Sequence, residues 1–161
     1  MAHHYLKCIS FFLLFISLSS RAQTTLYPGD IIVFSWGSNM AACGVTPLSD
    51  ELSFMCFQDI TNGTEIDITD NGWEYQNAGF FGDSEGTIKM TRTGGTIPRG
   101  TVITLQGQII AGNWVYRTLS PDNAWVFSNI NIPGGNFNID SGGDQVIFMQ
   151  GGTWDNQGGG A

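Results

Sequence analysis

Short apolar runs, each bounded by glycine, proline, asparagine or aspartate, recur along the chain after residue 22. The 161-residue sequence contains 22 glycines and five prolines, and no long stretch repeats its apolar residues at the helical spacing of 3.6. Strands of four to eight residues between turn residues are typical of antiparallel sheets. The pattern therefore predicts an all-β fold, an antiparallel β-sandwich or jelly roll of eight or nine strands. The predicted strands are residues 31–36, 52–58, 64–69, 85–91, 101–105, 114–116, 124–127 and 146–149.

Two of these strands carry more specific predictions. Residues 31–36 are apolar on both faces apart from Ser35, which indicates a buried strand in the middle of a sheet. Residues 64–69 alternate instead, so Ile66 should point inward while Asp67 and Thr69 point outward to solvent.

The first 22 residues have the pattern of a secretory signal. Lys7 precedes the apolar run 8–18, and Ser20 and Ala22 are the small residues of a cleavage site. The run is shorter than the about 20 residues that span a bilayer. We therefore expect residues 1–22 to be removed on export and residues 23–161 to form one secreted or surface-exposed domain, with no membrane insertion after cleavage.

Histidine is confined to that signal, at His3 and His4. The domain therefore lacks the residues for Ser-His-Asp or Cys-His catalysis and for histidine-ligated zinc. The formal net charge of the chain is −8, and the signal contains two of its six basic residues, Lys7 and Arg21. Such an acidic domain repels nucleic acid and suits divalent cations or neutral ligands.

A set of short motifs runs through nearly the whole domain. They are Gly29-Asp30-Ile31, Leu52-Ser53-Phe54, the stretch 63–73 ending in Thr-Asp-Asn-Gly-Trp, Glu85-Gly86-Thr87-Ile88, Gly100-Thr101-Val102 and Gly143-Asp144-Gln145-Val146. Together they resemble a β-sandwich accessory module of large secreted and surface proteins of bacteria, loosely similar to lamin-tail-like modules. The resemblance implies no catalytic residues and no firmly assigned activity. In such proteins further repeats or a sorting domain often follow.

The end of the chain predicts an incomplete protein. The last predicted strand, residues 146–149, leads into the glycine-rich stretch 151–161 with no further strand to pair with it. We therefore expect the domain to be truncated at its C-terminus and the chain to be a fragment of a longer secreted protein.

Oxygen-bearing side chains gather around residues 67–85, and calcium takes six to eight oxygen ligands. The predicted ligands are Asp67, Asp70, Asn71, Glu74 and Glu85. The alternative is a solvated acidic loop in which residues 70–72 simply form a turn. A weaker second site would use Asp140 and Asp144.

Several large aromatic residues suit a carbohydrate platform. Trp73, Tyr75 and Trp114 are the predicted ligand-binding residues, with Tyr116 and Trp125 as further candidates, because exposed aromatic clusters usually mark binding surfaces. The alternative is that these rings fill the core, and the apolar surroundings of Trp125 favour that alternative.

Two cysteines remain after the signal. Cys43 and Cys56 would form a disulfide in an exported protein, or else be two small buried apolar side chains. An enzyme would have to use a carboxylate pair such as Glu74 and Glu85 on a glycosidic bond, and we expect none.

The sequence therefore predicts a non-catalytic extracellular module for adhesion or ligand binding, stabilised by calcium, with a glycan or surface component as partner. The alternatives are a carbohydrate-binding accessory domain of a secreted glycan-degrading protein and a purely structural spacer.

Overall fold

The computed structural model describes residues 23–40, 49–74, 80–81, 85–111, 113–130, 135–140, 142 and 144–151. The predicted signal, residues 1–22, lies outside these ranges, as do Cys43 and Tyr75. In the described ranges, no helix is long and apolar enough to cross a membrane.

The described chain is all-β, which confirms the predicted fold class. The strands are β1 (Ile31–Met40), β2 (Ser49–Cys56), β3 (Glu65–Thr69), β4 (Trp73–Glu74), β5 (Phe80–Phe81), β6 (Thr87–Arg92), β7 (Val102–Ile110), β8 (Asn113–Ser120), β9 (Trp125–Asn129) and β10 (Ile147–Met149).

Eight of these strands form two four-stranded antiparallel sheets. The order is β1-β2-β7-β8 in the first sheet and β10-β3-β6-β9 in the second, while β4 and β5 pair as a separate ribbon. A cleft of about 590 Å³ opens between β1 and β10 along one side of the sandwich. On the other side, β8 contacts β9.

The core lies between the sheets and follows from the two-residue alternation along each strand. In β2, Leu52, Phe54 and Cys56 are buried. In the second sheet, the buried residues include Ile66 in β3 and Met90 in β6. Each fully buried side chain of this size contributes roughly 1.5–3 kcal/mol to the free energy of folding.

Strand β1 differs from its prediction, because it is an edge strand and not a buried central one. Among the described strands, it pairs with β2 alone. Ile32, Val33, Phe34 and Trp36 are 42%, 41%, 53% and 57% exposed. The three-residue strand β10 faces the beginning of the ten-residue β1 across the cleft that Ile31 and Val33 line.

The prediction that Asp67 and Thr69 face solvent is also wrong, since they are 7% and 0% exposed. The Lys89 ammonium on the neighbouring strand lies 3.9 Å from Oδ1 of Asp67. The Thr69 hydroxyl donates a hydrogen bond to the Gly86 carbonyl at 2.8 Å. Neighbouring segments therefore cover the outer face of β3.

Candidate functional site

A groove of about 380 Å³ lies between the edge strands β8 and β9. Its walls are aromatic and its rim carries hydroxyl and amide groups. The lining residues are Trp114, Val115, Tyr116, Trp125, Phe127, Ser128, Asn129 and Asn136.

Trp114 and Tyr116 form the floor of the groove. They lie two residues apart on β8 and therefore on one face of the strand. Their rings are stacked, with centroids 6.2 Å apart and planes inclined by 14°. The Phe127 ring on β9 approaches the Tyr116 ring at 6.1 Å between centroids. The two edge strands thus contribute facing aromatic surfaces.

Gly107 explains why these two rings can lie so close to the sheet. It pairs with Tyr116 across the β7–β8 ladder. A Cβ atom at this position would lie 3.1 Å from the Trp114 ring and 3.2 Å from the Tyr116 ring. Because glycine has no Cβ, both rings can lie over the backbone of β7.

The phenol of Tyr116 is fixed by a hydrogen bond. Its hydroxyl donates to the Phe137 carbonyl at 2.8 Å. Burial, together with the nearby charges of Asp70 and Asp50, raises the pKa of Tyr116 above its usual range. The hydroxyl therefore stays protonated and acts as a donor.

Segment 135–140 closes the end of the groove and is attached to both sheets. The Ile139 N–H donates to Asp50 Oδ2 at 2.9 Å, and the Asn138 N–H donates to Asp70 Oδ2 at 3.0 Å. Asp50 belongs to β2 and Asp70 follows β3. Because Phe137 is buried in the core, the segment holds Asn136 at the groove rim.

The segment also crosses very close to Gly86. A Cβ atom at Gly86 would lie 1.9 Å from the Phe137 nitrogen and 2.1 Å from the Asn136 carbonyl carbon. No side chain fits in that space, so glycine is required there by the close approach of two backbones.

Among the carboxyl groups of this region, Asp70 has the pKa that lies furthest above its ordinary value. It is 2% exposed, and in the described part of the chain its Oδ1 has no hydrogen-bond partner. Burial raises the pKa of Asp70 to about 7, the Asn138 N–H opposes that rise, and the charges of Asp144 and Glu85 add to it.

Trp125 belongs to the core, as its sequence surroundings predicted, and is 7% exposed. The Arg92 guanidinium lies 5.5 Å from the centre of its ring, in a cation–π contact. Arg92 also bonds both carboxylate oxygens of Asp122, and this hydrogen bonding lowers the pKa of Asp122 to about 2.

The predicted calcium ligands have separate roles in the structure. Asp67 lies beside Lys89. The Asn71 amide crosslinks the turn, because its oxygen accepts the Glu85 N–H at 2.9 Å and its nitrogen donates to the Glu85 carbonyl at 2.9 Å. Asp70 binds segment 135–140 as described above.

Of Glu74, only the backbone is described, in β4. Across the described ranges, no group of three or more histidine, cysteine, aspartate or glutamate side chains is arranged to hold a metal ion. Burial and the charges of Asp144 and Asp140 raise the pKa of Glu85, so these carboxylates lie within electrostatic range of one another. Calcium binding stays a prediction.

Two of the predicted ligand-binding residues, Trp73 and Trp114, do not line the same groove. Trp114 is in the groove, whereas Trp73 is 56% exposed on β4 and does not line the groove. Tyr75 lies outside the described residues. The spacing of Trp114 and Tyr116 was visible in the sequence. No local sequence pattern indicated that Asn129 and Asn136 would line the same groove.

The predicted disulfide finds no support. Cys56 is a free thiol that is 2% exposed, and Cys43 lies outside the described residues. Burial, with a smaller contribution from the charge of Asp30, raises the pKa of the Cys56 thiol to about 12. Cys56 therefore has the character of the buried apolar side chain that was the alternative.

Comparison of the chain with known protein families, with curated proteins and with solved structures finds no match.

Proposed function

We propose that the protein is a non-catalytic extracellular ligand-binding module that binds carbohydrate in the groove between β8 and β9. The observation that carries the proposal is the stacked pair of Trp114 and Tyr116 over Gly107. Flat aromatic surfaces suit the C–H faces of sugar rings, since both are apolar and rigid. Adhesion to a glycan-bearing surface and accessory binding beside a glycan-degrading enzyme would both use such a groove.

The polar groups of the groove fit the same ligand. Ser128, Asn129 and Asn136 are exposed along the groove. Hydroxyl and amide side chains donate and accept hydrogen bonds, as sugar hydroxyls require. A few polar groups around an apolar floor are the usual composition of small-molecule sites.

Charge favours a neutral glycan. The described residues that line the groove include no carboxylate and no basic side chain, and the chain carries a net charge of −8. An acidic polysaccharide would be repelled at long range and would find no cation in the groove.

The test compares two tryptophan variants on the folded protein. Trp114→Ala removes half of the groove floor, while Trp73→Ala removes an exposed tryptophan that does not line the groove. We expect the unmodified protein to bind at least one neutral polysaccharide, by array and by titration calorimetry. Trp114→Ala should weaken that binding by about tenfold or more, which corresponds to about 1.4 kcal/mol.

Trp73→Ala should bind like the unmodified protein. A structural spacer would bind no glycan in any form, and that result would refute the proposal. Equal loss of affinity in the two variants would show that the ligand does not occupy this groove.

A further inference from the structure

We propose that the cleft between β1 and β10 binds an extended polypeptide segment as an added β-strand. The cleft has a volume of about 590 Å³ and is lined by residues 26–29, Ile31, Val33 and residues 146–150. It lies at one side of the sandwich, whereas the proposed carbohydrate groove lies at the other side, between β8 and β9. This peptide site is therefore independent of the carbohydrate proposal.

The walls of the cleft are apolar and continue into the core. Ile31 and Val33 oppose the buried Cys56 and Phe54 of β2, and directly opposed residues of an antiparallel pair share a face. Ile31 and Val33 therefore belong to the inner face of their sheet, yet Val33 is 41% exposed. From β10, the Phe148 ring approaches the Phe54 ring at 4.9 Å between centroids. The cleft is thus an opening into the hydrophobic core.

The β1 wall also presents backbone groups that have no strand beside them. The Asp30 carbonyl accepts the N–H of Phe57, so the backbone of Asp30 faces β2. Successive residues of an antiparallel strand direct their N–H and C=O groups to opposite sides. Ile31 and Val33 therefore direct theirs away from β2 and toward the cleft, where no described strand pairs with them. The first irregularity in the pairing of β1 with β2 comes after Val33, beyond this part of the edge.

The β10 wall presents the same kind of open edge. The Arg92 N–H donates to the Thr64 carbonyl, so Thr64 and every second residue after it on β3 face β6. Asp67 and Thr69 therefore face β10 and pair with the last and first residues of that strand. Phe148, between those two residues, directs its N–H and C=O groups toward the cleft, where again no described strand pairs with it.

Apolar walls together with open backbone edges identify the chemistry of the occupant. An acyl chain would fill the apolar space but would leave the backbone groups of both walls without partners. An extended polypeptide satisfies both features, because its own N–H and C=O groups pair with an open edge while every second side chain enters the cleft. The volume of about 590 Å³ lies within the range of about 300–1,000 Å³ that is usual for binding sites.

Charge favours a segment with basic flanks. The described residues that line the cleft include no charged side chain, whereas the chain carries a net charge of −8. Long-range attraction therefore favours an apolar segment that has lysine or arginine at its ends. Screening weakens that attraction, because the Debye length falls from about 30 Å at 0.01 M salt to about 3 Å at 1 M. We expect the affinity for such a segment to fall as salt is added.

The experiment measures the binding of a fluorescent peptide to the folded protein by anisotropy. The peptide alternates valine and serine over about six residues, the usual length of a strand, and carries lysines at both ends. We expect a dissociation constant below about 1 mM, and binding at least tenfold weaker for a control peptide with the same residues in separate blocks. Val33→Lys should weaken the binding of the alternating peptide at least tenfold. Val126→Lys is the matched control, because Val126 is 57% exposed on the edge strand β9 at the other side of the sandwich.

Two methylated forms of the peptide separate backbone pairing from simple apolar burial. One form is N-methylated at its valines and the other at its serines, so each form lacks one alternate set of N–H donors. An added strand directs only one of these sets toward the edge with which it pairs. We therefore expect one form to bind at least tenfold more weakly than the unmethylated peptide and the other form to bind like it.

Circular dichroism and thermal melting establish that both variants are folded before their binding is interpreted. An alternating peptide that does not bind at about 1 mM overturns the proposal, and so does equal binding to Val33→Lys and to the unmodified protein. If neither methylated form binds more weakly and dodecanoate displaces the peptide, the cleft is a site for an acyl chain instead. A dimer that analytical ultracentrifugation detects and the peptide dissociates would make a second copy the occupant, which also overturns the proposal.

Discussion

Replacing Asp70 with asparagine should stabilise the fold at neutral and alkaline pH much more than at acidic pH. The Asp70 carboxyl is 2% exposed, and ionisation places a charge there with too few partners. Asparagine has nearly the same shape, and its amide oxygen can still accept the hydrogen bond from the Asn138 N–H. The substitution therefore removes the charge and keeps the attachment of segment 135–140.

The magnitude follows from the pKa of Asp70, which rises from 3.8 to about 7 in the folded protein. Below pH 3.8 the carboxyl is protonated in both states and has no effect on stability. As pH rises from there, the unfolded chain ionises first, and stability is lost until the folded carboxyl ionises as well. The complete loss is about 4 kcal/mol, of which about 2–3 kcal/mol falls between pH 5 and pH 8.

The assay is urea unfolding of the unmodified protein and Asp70→Asn at both pH values. Glu85 and Asp67 also have raised pKa values. They titrate in both proteins, so their contributions to the pH dependence of stability cancel in the comparison. We expect the stability gained by the substitution to be about 2 kcal/mol larger at pH 8 than at pH 5.

Asp122→Asn serves as the control, because we expect it to lower the free energy of unfolding where Asp70→Asn raises it. Arg92 holds the pKa of Asp122 near 2, so this carboxylate is ionised and stabilising at both pH values. Its loss should destabilise the protein equally at pH 5 and pH 8. A gain for Asp70→Asn that is also equal at the two pH values would refute the reasoning that burial controls this carboxyl.

Three further predictions concern the rest of the molecule. Gly86→Ala should lower the free energy of unfolding by about 2–3 kcal/mol, because its Cβ would overlap the Phe137 backbone; a loss below about 0.5 kcal/mol in urea unfolding would contradict that overlap. The Cys56 thiol should react with a thiol reagent only after unfolding, since its pKa is about 12; a denatured, unreduced protein with no reactive thiol would show that the disulfide exists after all. If calcium binds near Asp70 and Glu85, millimolar calcium should raise the melting temperature and EDTA should reverse the rise, because the ion would relieve their mutual repulsion; an unchanged melting temperature would refute the calcium prediction.

The sequence predicted the fold class because strand periodicity is a local property. Leu52, Phe54 and Cys56 alternate with less buried residues in the sequence, and they form the core in the structure. The same reasoning failed for residues 31–36. An apolar run shows that a strand can be buried, but not whether strands lie on both sides of it, since sheet order depends on the whole chain.

The site was predictable only in part for the same reason. Alternation gives the direction of Asp67 but not the neighbouring Lys89 that helps to bury it. Trp114 was identified from its residue type. Its groove depends on Gly107 beneath it and on β9 opposite, and both are placed by long-range pairing.

The double attachment of segment 135–140 also has a kinetic consequence. Its hydrogen bonds reach back 89 residues to Asp50 and 68 residues to Asp70. Contacts between such distant parts of a chain form slowly, because the loop-closure entropy must be overcome first. We therefore expect this segment to dock late, together with β10, which pairs with β3 across a similar separation, and after the strands that pair with nearer parts of the chain. The groove between β8 and β9, which needs Asn136 and the Phe137 carbonyl in place, would then be among the last parts of the molecule to form.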